Sequence, residues 1–207
     1  MLFRSTGLRL LTVGTDCSVG KKYTALALEK EMRARGLAAD FRATGQTGVF
    51  ISGRGVAIDA VVADFISGAA EWISPAAEPD HWDVVEGQGS LFHPSFAGVS
   101  LGLLHGSQPD LFVVCHEPTR TTMRGVRHPL PTISDVIEHT IACGRLTNPG
   151  IRPLGIAINT EHLDEAEARR VCAEAARAHD LPATDPVRFG VAPLVDRLLT
   201  LYPLGPR

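Results

Sequence analysis

The chain has 207 residues, 44% of them hydrophobic and 21% charged, with a formal net charge of −3. That is the size and balance of one α/β domain around a single core. With no basic excess to neutralise a nucleic-acid backbone, a small-molecule ligand is favoured. Cys17, Cys115, Cys143 and Cys172 form neither a CxxC pair nor a Cys/His zinc spacing, which excludes a disulfide framework and structural zinc and makes a reducing cytoplasm the expected setting. The apolar run near the N-terminus is too short for a membrane span and lacks a signal-type cleavage site, so no membrane partner is expected.

In chain order, Leu8 to Gly14 predicts a strand and Lys22 to Arg35 a helix stopped at Gly36. Ala39 to Thr44 reads as a second strand. Val56 to Glu71 then places Ile58, Val61, Val62, Phe65 and Ile66 on one helical stripe. Trp82 to Glu86 and Leu111 to His116 are further strands, and the Pro-rich stretch from Pro118 to Pro131 is the one extended loop. A helix is expected to start near Thr132, and Leu154 to Asn159 is the fifth strand. Asp164, followed by Glu167, opens a helix running to about His179, and Val187 to Val191 reads as a sixth strand. Apolar strands alternating with helical segments predict a doubly wound, mainly parallel sheet in a three-layer sandwich of the P-loop NTPase kind. Ligands of such sheets bind at the strand C-termini.

The segment from Gly14 to Thr24 joins the first strand to the first helix and contains Gly14-Thr15-Asp16-Cys17-Ser18-Val19-Gly20-Lys21. In that context successive backbone N–H groups form an anion nest, the helix N-terminus adds partial positive charge, and Lys21 reaches the outer phosphates. The loop departs twice from the Gly-x4-Gly-Lys-Ser/Thr pattern: Thr15 stands at the first Gly, and Lys22 stands where a hydroxyl holds Mg²⁺. The residues from Gly14 through Lys22, with Tyr23, are therefore the cofactor-binding candidates, and phosphate binding is expected more firmly than ATP hydrolysis. A thiol in an anion-binding loop is expected to have a depressed pKa, which offers Cys17 as an acyl relay, the alternative being a residue chosen for small size.

Glu86, at the end of the strand WDVVEG, faces the place of the phosphates, either to hold Mg²⁺ and orient a reacting group or to cap the following turn through backbone amides. Asp83, three residues earlier, is expected to point elsewhere. Gln46 and Thr47, in the Gly-flanked run after the second strand, are candidates for a substrate carboxylate, and Arg120 and Arg124 for an anion clamp. His93 and His105 are candidate general bases for acyl transfer.

GTDCSVGKK resembles the P-loop of dethiobiotin synthetase, and VVEGQGS at Val84 to Ser90 resembles a second motif of that family. The chain is more similar still to the C-terminal P-loop domain of the DgcN-type D-glutamate N-acetyltransferases, long catalogued as a domain of unknown function. The likeness rests on GTDCSVGKK, ATGQTG at Ala43 to Gly48, DAVVADFISGAAE at Asp59 to Glu71, VVEGQGSLFHP, GVSLGLLHGSQPD at Gly98 to Asp110 and TDPVRFG at Thr184 to Gly190. It implies an N-acetyltransferase acting on a D-amino acid such as D-glutamate, with acetyl-CoA on the P-loop. The dethiobiotin synthetase likeness implies instead an ATP-dependent carboxylate ligase or kinase using Mg²⁺, with Glu86 as metal ligand and Asn159 as base contact. A noncatalytic nucleotide-binding module is the third reading. Members of the D-glutamate family carry an additional N-terminal domain, so residues 1–207 are read as a single P-loop domain without it, acting as a homo-oligomer or beside a separate partner that supplies that domain.

Overall fold

The computed structural model describes residues 6–203. Its centre is a six-stranded parallel sheet in the order β2-β3-β1-β4-β5-β6. The strands are β1 (Leu8–Gly14), β2 (Ala39–Arg42), β3 (Trp82–Val85), β4 (Leu111–His116), β5 (Arg152–Ile158) and β6 (Ala183–Thr184). The middle strands are apolar on both faces because helices cover both. Leu10, Val84, Val113 and Leu154 point into one core layer with α1 (Lys21–Ala34) and α7 (Ala192–Leu201). Leu11, Val85, Phe112 and Val114 point into the other, with α3 (Ile66–Ile73), α4 (Ala97–Ser107) and α5 (Ile133–Gly144). The short α2 (Gln46–Ser52) follows β2, and α6 (Glu165–His179) packs Cys172 and Ala175 against Ile156 and Ile158.

Local sequence accounts for the element ends. In α1 the buried stripe Thr24, Ala25, Leu28 and Met32 recurs at helical spacing. The Thr132 side chain accepts from the Asp135 N–H while Asp135 accepts from the Thr132 N–H, a full capping box for α5. Asp164 caps α6 by accepting from the Glu167 N–H.

Two expected elements are corrected. The stretch from Val56 to Glu71 is not one helix: the N–H groups of Val56 and Ile58 go to the carbonyls of Ala43 and Thr44, so the chain is tied to the end of β2. It passes through two single 3-10 turns, Ile58–Ala60 and Ala63–Phe65, before α3 begins, leaving Val62 and Phe65 exposed. Val187 to Val191 is not a strand, because the Asp185 carboxylate accepts from the Val187 and Arg188 N–H groups and bends the chain there; the sixth strand lies earlier, at Ala183–Thr184. The helices α2, α4 and α7 had no counterpart in the sequence reading. No helix among the described residues is long and apolar enough to cross a membrane.

Candidate functional site

The loop after β1 lies between the loops after its two neighbours, β3 and β4, at the C-terminal edge of the sheet. Ser18 (φ 55°) and Gly20 (φ 102°) take left-handed backbone conformations on either side of Val19. Such alternation turns consecutive N–H groups toward one concavity, where an anion fits, and the first turn of α1 adds its partial charge. Lys21 is buried, its Nζ donating to the Asp16 carbonyl at 2.6 Å, and burial pushes its pKa down. A buried ammonium whose hydrogen bond goes to one loop carbonyl retains donors for an incoming phosphate.

Asp16 is the hub of the loop's outer wall. Its Oδ1 accepts from the Cys17 N–H at 2.7 Å, while Oδ2 accepts from Arg120 Nη1 and from the Arg124 N–H, each at 2.7 Å. Burial alone would raise the Asp16 pKa, but these donors outweigh it and hold the carboxyl below its ordinary value. Arg120 also reaches the carbonyls of Cys17 and Ser18, so it braces the loop rather than presenting an open clamp. The expected depression of the Cys17 pKa is a further correction: burial and the adjacent Asp16 carboxylate push it up, which leaves a small loop residue rather than a ready thiolate. His116 meets Thr15 (Nδ1 to Oγ1, 3.2 Å), and burial lowers its pKa.

Two cavities open on the loop. One, of about 550 Å³, is lined by Cys17, Ser18, Lys21, Lys22, Gln46, Thr47 and Glu86 among others. The other, of about 570 Å³, is lined by Val19, Thr24, Ala157 and the turn from Asp185 to Arg188. Gly20, Tyr23, Asn159 and Glu161 belong to both, so the two lie side by side along the start of α1. Lys22 holds its Nζ 4.7 Å from the Tyr23 ring centre, on the wall of the first cavity.

Glu86 is buried at the floor, where Oε2 accepts from the Thr44 and Gly45 N–H groups at 3.0 and 3.1 Å. Burial raises its pKa against the pull of those amides and of the Lys22 and Lys21 charges. The expected cap of the turn after Glu86 is corrected: the amides it holds belong to the loop after β2, while the Gly87 N–H goes to Thr12 Oγ1, and the same carboxylate lines the cavity. Gly87 beside it admits no side chain: a Cβ there would lie 1.6 Å from the Thr12 carbonyl oxygen. Asp83 points away, as expected, pairing with Arg42 Nε at 2.6 Å.

The structure thus brings Cys17 through Tyr23, Gln46, Thr47, Glu86 and Asn159 together around these cavities, whereas Gly14, Thr15 and Asp16 line neither and lie beneath the loop. Neither His93 nor His105 lines these cavities, although His93 stands behind the loop with a ring nitrogen within 4.8 Å of the Asp16 carboxylate and of Cys17 Sγ. His93 is buried with Nε2 donating to the Arg124 carbonyl and Nδ1 accepting from the Ser95 N–H, so neither nitrogen keeps a lone pair for a substrate proton. His105 is bound to the Cys143 carbonyl, tying α4 to α5 on the sheet face away from α1. The Asp185-Pro186-Val187-Arg188 wall escaped the sequence reading, which took part of it for a strand; the Asp-Pro turn was the available signal.

A family model described as a domain of unknown function, the DUF1611 C-terminal P-loop domain, matches residues 3–195. A D-glutamate N-acetyltransferase of Pseudoalteromonas is 55% identical over 95% of this chain, and the chain spans 59% of that relative's length. A crystal structure of a DUF1611 family protein from Anabaena variabilis superposes with a TM-score of 0.89 at 38% identity, covering 95% of this chain and 58% of that one. Cobyrinic acid a,c-diamide synthase from Mycobacterium smegmatis, with an ATP analogue and magnesium bound, shares the fold at 14% identity (TM-score 0.55, covering 95% of each chain).

Proposed function

Because the chain belongs to the DUF1611 P-loop domain family, we propose that it is the cofactor-binding part of an N-acetyltransferase that acetylates the amine of a D-amino acid such as D-glutamate. The observation that carries this reading is the pair of adjoining cavities, which sets a second compartment of about 570 Å³ beside the phosphate-binding loop. The 55% identity to a D-glutamate N-acetyltransferase supports it. The group that fits is acetyl-CoA: the P-loop amides and Lys21 would hold its diphosphate, and Tyr23, Asn159 and the Asp185 to Arg188 turn would border its adenosine end. Bound there, it supplies an activated acetyl group. Lys22, an ammonium where a P-loop hydroxyl would ligate Mg²⁺, favours metal-independent phosphate binding.

Glu86 supports the second reading, an ATP-dependent ligase or kinase, because its cavity-lining carboxylate suits a Mg²⁺ ligand. Calorimetric titration of the chain with acetyl-CoA, ATP and ADP, with Mg²⁺ and with a chelator, separates the two. Acetyl-CoA binding unaffected by the chelator is the expected result. Strong Mg²⁺-dependent ATP binding without acetyl-CoA binding would replace the transferase with the ligase.

A further inference from the structure

The turn from Asp185 to Arg188 belongs to the run TDPVRFG and walls the second cavity, on the β5–β6 side of the P-loop. One buried carboxylate fixes its shape. Asp185 Oδ2 accepts from the N–H and Oγ1 of Thr160, and Oδ1 accepts from the Val187 and Arg188 N–H groups at 2.8 and 3.0 Å. Burial would raise the Asp185 pKa, but these donors outweigh it and hold the carboxyl below its ordinary value, so its charge is spent on the turn. Arg188 is carried on the cavity wall, where Nη2 donates to the Leu163 carbonyl at 2.8 Å.

The two cavities along α1 differ in chemistry. The first is lined by lysines, carboxylates and amides, the second by Val19, Ala157, Pro186 and Val187 with the Tyr23 ring, which suits the flat apolar faces of a purine. A nucleotide whose diphosphate sits on the P-loop therefore has its adenosine end in the second. Among the described residues lining that cavity, Arg188 is the one lysine or arginine. Its Nη2 reaches the Leu163 carbonyl and, at 3.5 Å, that of Glu161, while no hydrogen bond of the described residues uses Nη1 or Nε and no ion pair engages the side chain. Glu161 also lines the cavity but forms no ion pair with Arg188. The guanidinium is thus held in place without being neutralised, and it keeps donors for an anion. Arg120 differs in being neutralised by Asp16, and Arg124 in lining a separate cavity. ATP and ADP carry no charge on the ribose hydroxyls; coenzyme A carries a phosphate on the 3′ oxygen.

We propose that Arg188 is the specificity-determining residue at the cofactor's adenosine end, binding the ribose 3′-phosphate of coenzyme A and so selecting acetyl-CoA over nucleotides that lack that group. This rests on the transferase reading above. The P-loop recognises the diphosphate that all these nucleotides share, and the turn recognises what coenzyme A adds.

The test is calorimetric titration of the 207-residue chain with coenzyme A and with 3′-dephospho-coenzyme A, which differ only in that phosphate. Wild type should bind coenzyme A about tenfold or more tighter, the share of one charge-assisted contact. The difference should shrink in high salt, because Arg188 is exposed. Arg188→Gln should bring the two affinities to within about threefold by weakening coenzyme A alone, and Arg188→Lys should keep part of the preference, since an ammonium retains the charge but not the planar fork. The dephospho form separates recognition from bracing: an arginine that only holds the Leu163 and Glu161 carbonyls would, on removal, weaken both ligands alike. Melting temperatures report whether each variant folds. Equal affinities in wild type, a preference undiminished in folded Arg188→Gln, or parallel weakening of both ligands overturns the proposal and leaves the transferase reading standing. Binding of neither ligand by wild type is the distinct result that removes the transferase reading, and the proposal with it.

Discussion

Replacing Lys21 by Met keeps the aliphatic stem and deletes the ammonium, so it isolates what that charge does. In the fold the ammonium makes one charge-assisted hydrogen bond, to the Asp16 carbonyl, worth about 1.5–3 kcal/mol net. Against that stands the burial of a cation, which already pushes the Lys21 pKa down. The two effects oppose, and the melting temperature should move by no more than about 4 °C, at roughly 2–4 °C per kcal/mol for a domain of this size. Phosphate binding has no such offset: a charge-assisted contact of about 1.5–3 kcal/mol is lost, so affinity for acetyl-CoA or ADP should fall about ten- to 150-fold. The pH dependence gives an independent sign. A lysine whose folded pKa lies below its unfolded value makes stability rise as pH climbs through the folded value toward about 10.5, and Lys21→Met should lose that rise. Calorimetry and thermal melts on the same samples decide the matter. Unchanged affinity for every phosphate ligand that binds wild type would refute the assignment of this loop.

Three other outcomes follow from particular contacts. Gly87→Ala would drive a Cβ into the Thr12 backbone, and should cost on the order of 3 kcal/mol or more, seen as a large drop in melting temperature; a normal melt would show that the β1–β3 approach is looser than described. His116 is held neutral by burial, so its folded pKa lies below 6.5 and stability should fall as pH drops from about 6.5 toward the folded value, a decline that His116→Gln should flatten; an equal decline in the variant would assign the effect elsewhere. Glu86→Ala leaves the Thr44 and Gly45 amides without their acceptor and should cost about 1–3 kcal/mol, whereas Glu86→Gln keeps an acceptor oxygen and should cost less. If the two variants melt alike, the contact with those amides is not what Glu86 contributes to stability.

The strands and the phosphate loop were legible because their signals are local. Apolar runs such as Leu111–His116 are read correctly to the residue, and Gly20-Lys21 at a strand-to-helix junction leaves few other structures. What the sequence hid depends on distant partners. The apolar spacing from Ile58 to Ile66 looks helical, yet backbone bonds to Ala43 and Thr44 hold the segment in turns. The histidines looked available because their ring nitrogens are taken by backbone groups of Arg124, Ser95 and Cys143, none of which a sequence marks. Arg120 and Arg124 looked alike for the same reason; only the position of Asp16 distinguishes the brace from the free cation.

The Asp16 hub has a consequence for the order in which the protein can mature. Its carboxylate is completed by Arg120 and Arg124, residues 104 and 108 positions away in the chain, and β1 lies between β3 and β4. Every pairing of β1 is parallel and long-range, the kind of contact that forms late. On the ribosome the phosphate loop emerges 104 residues before Arg120, so it leaves without its outer wall. It can take up its ligand geometry only after Arg124 has left the exit tunnel.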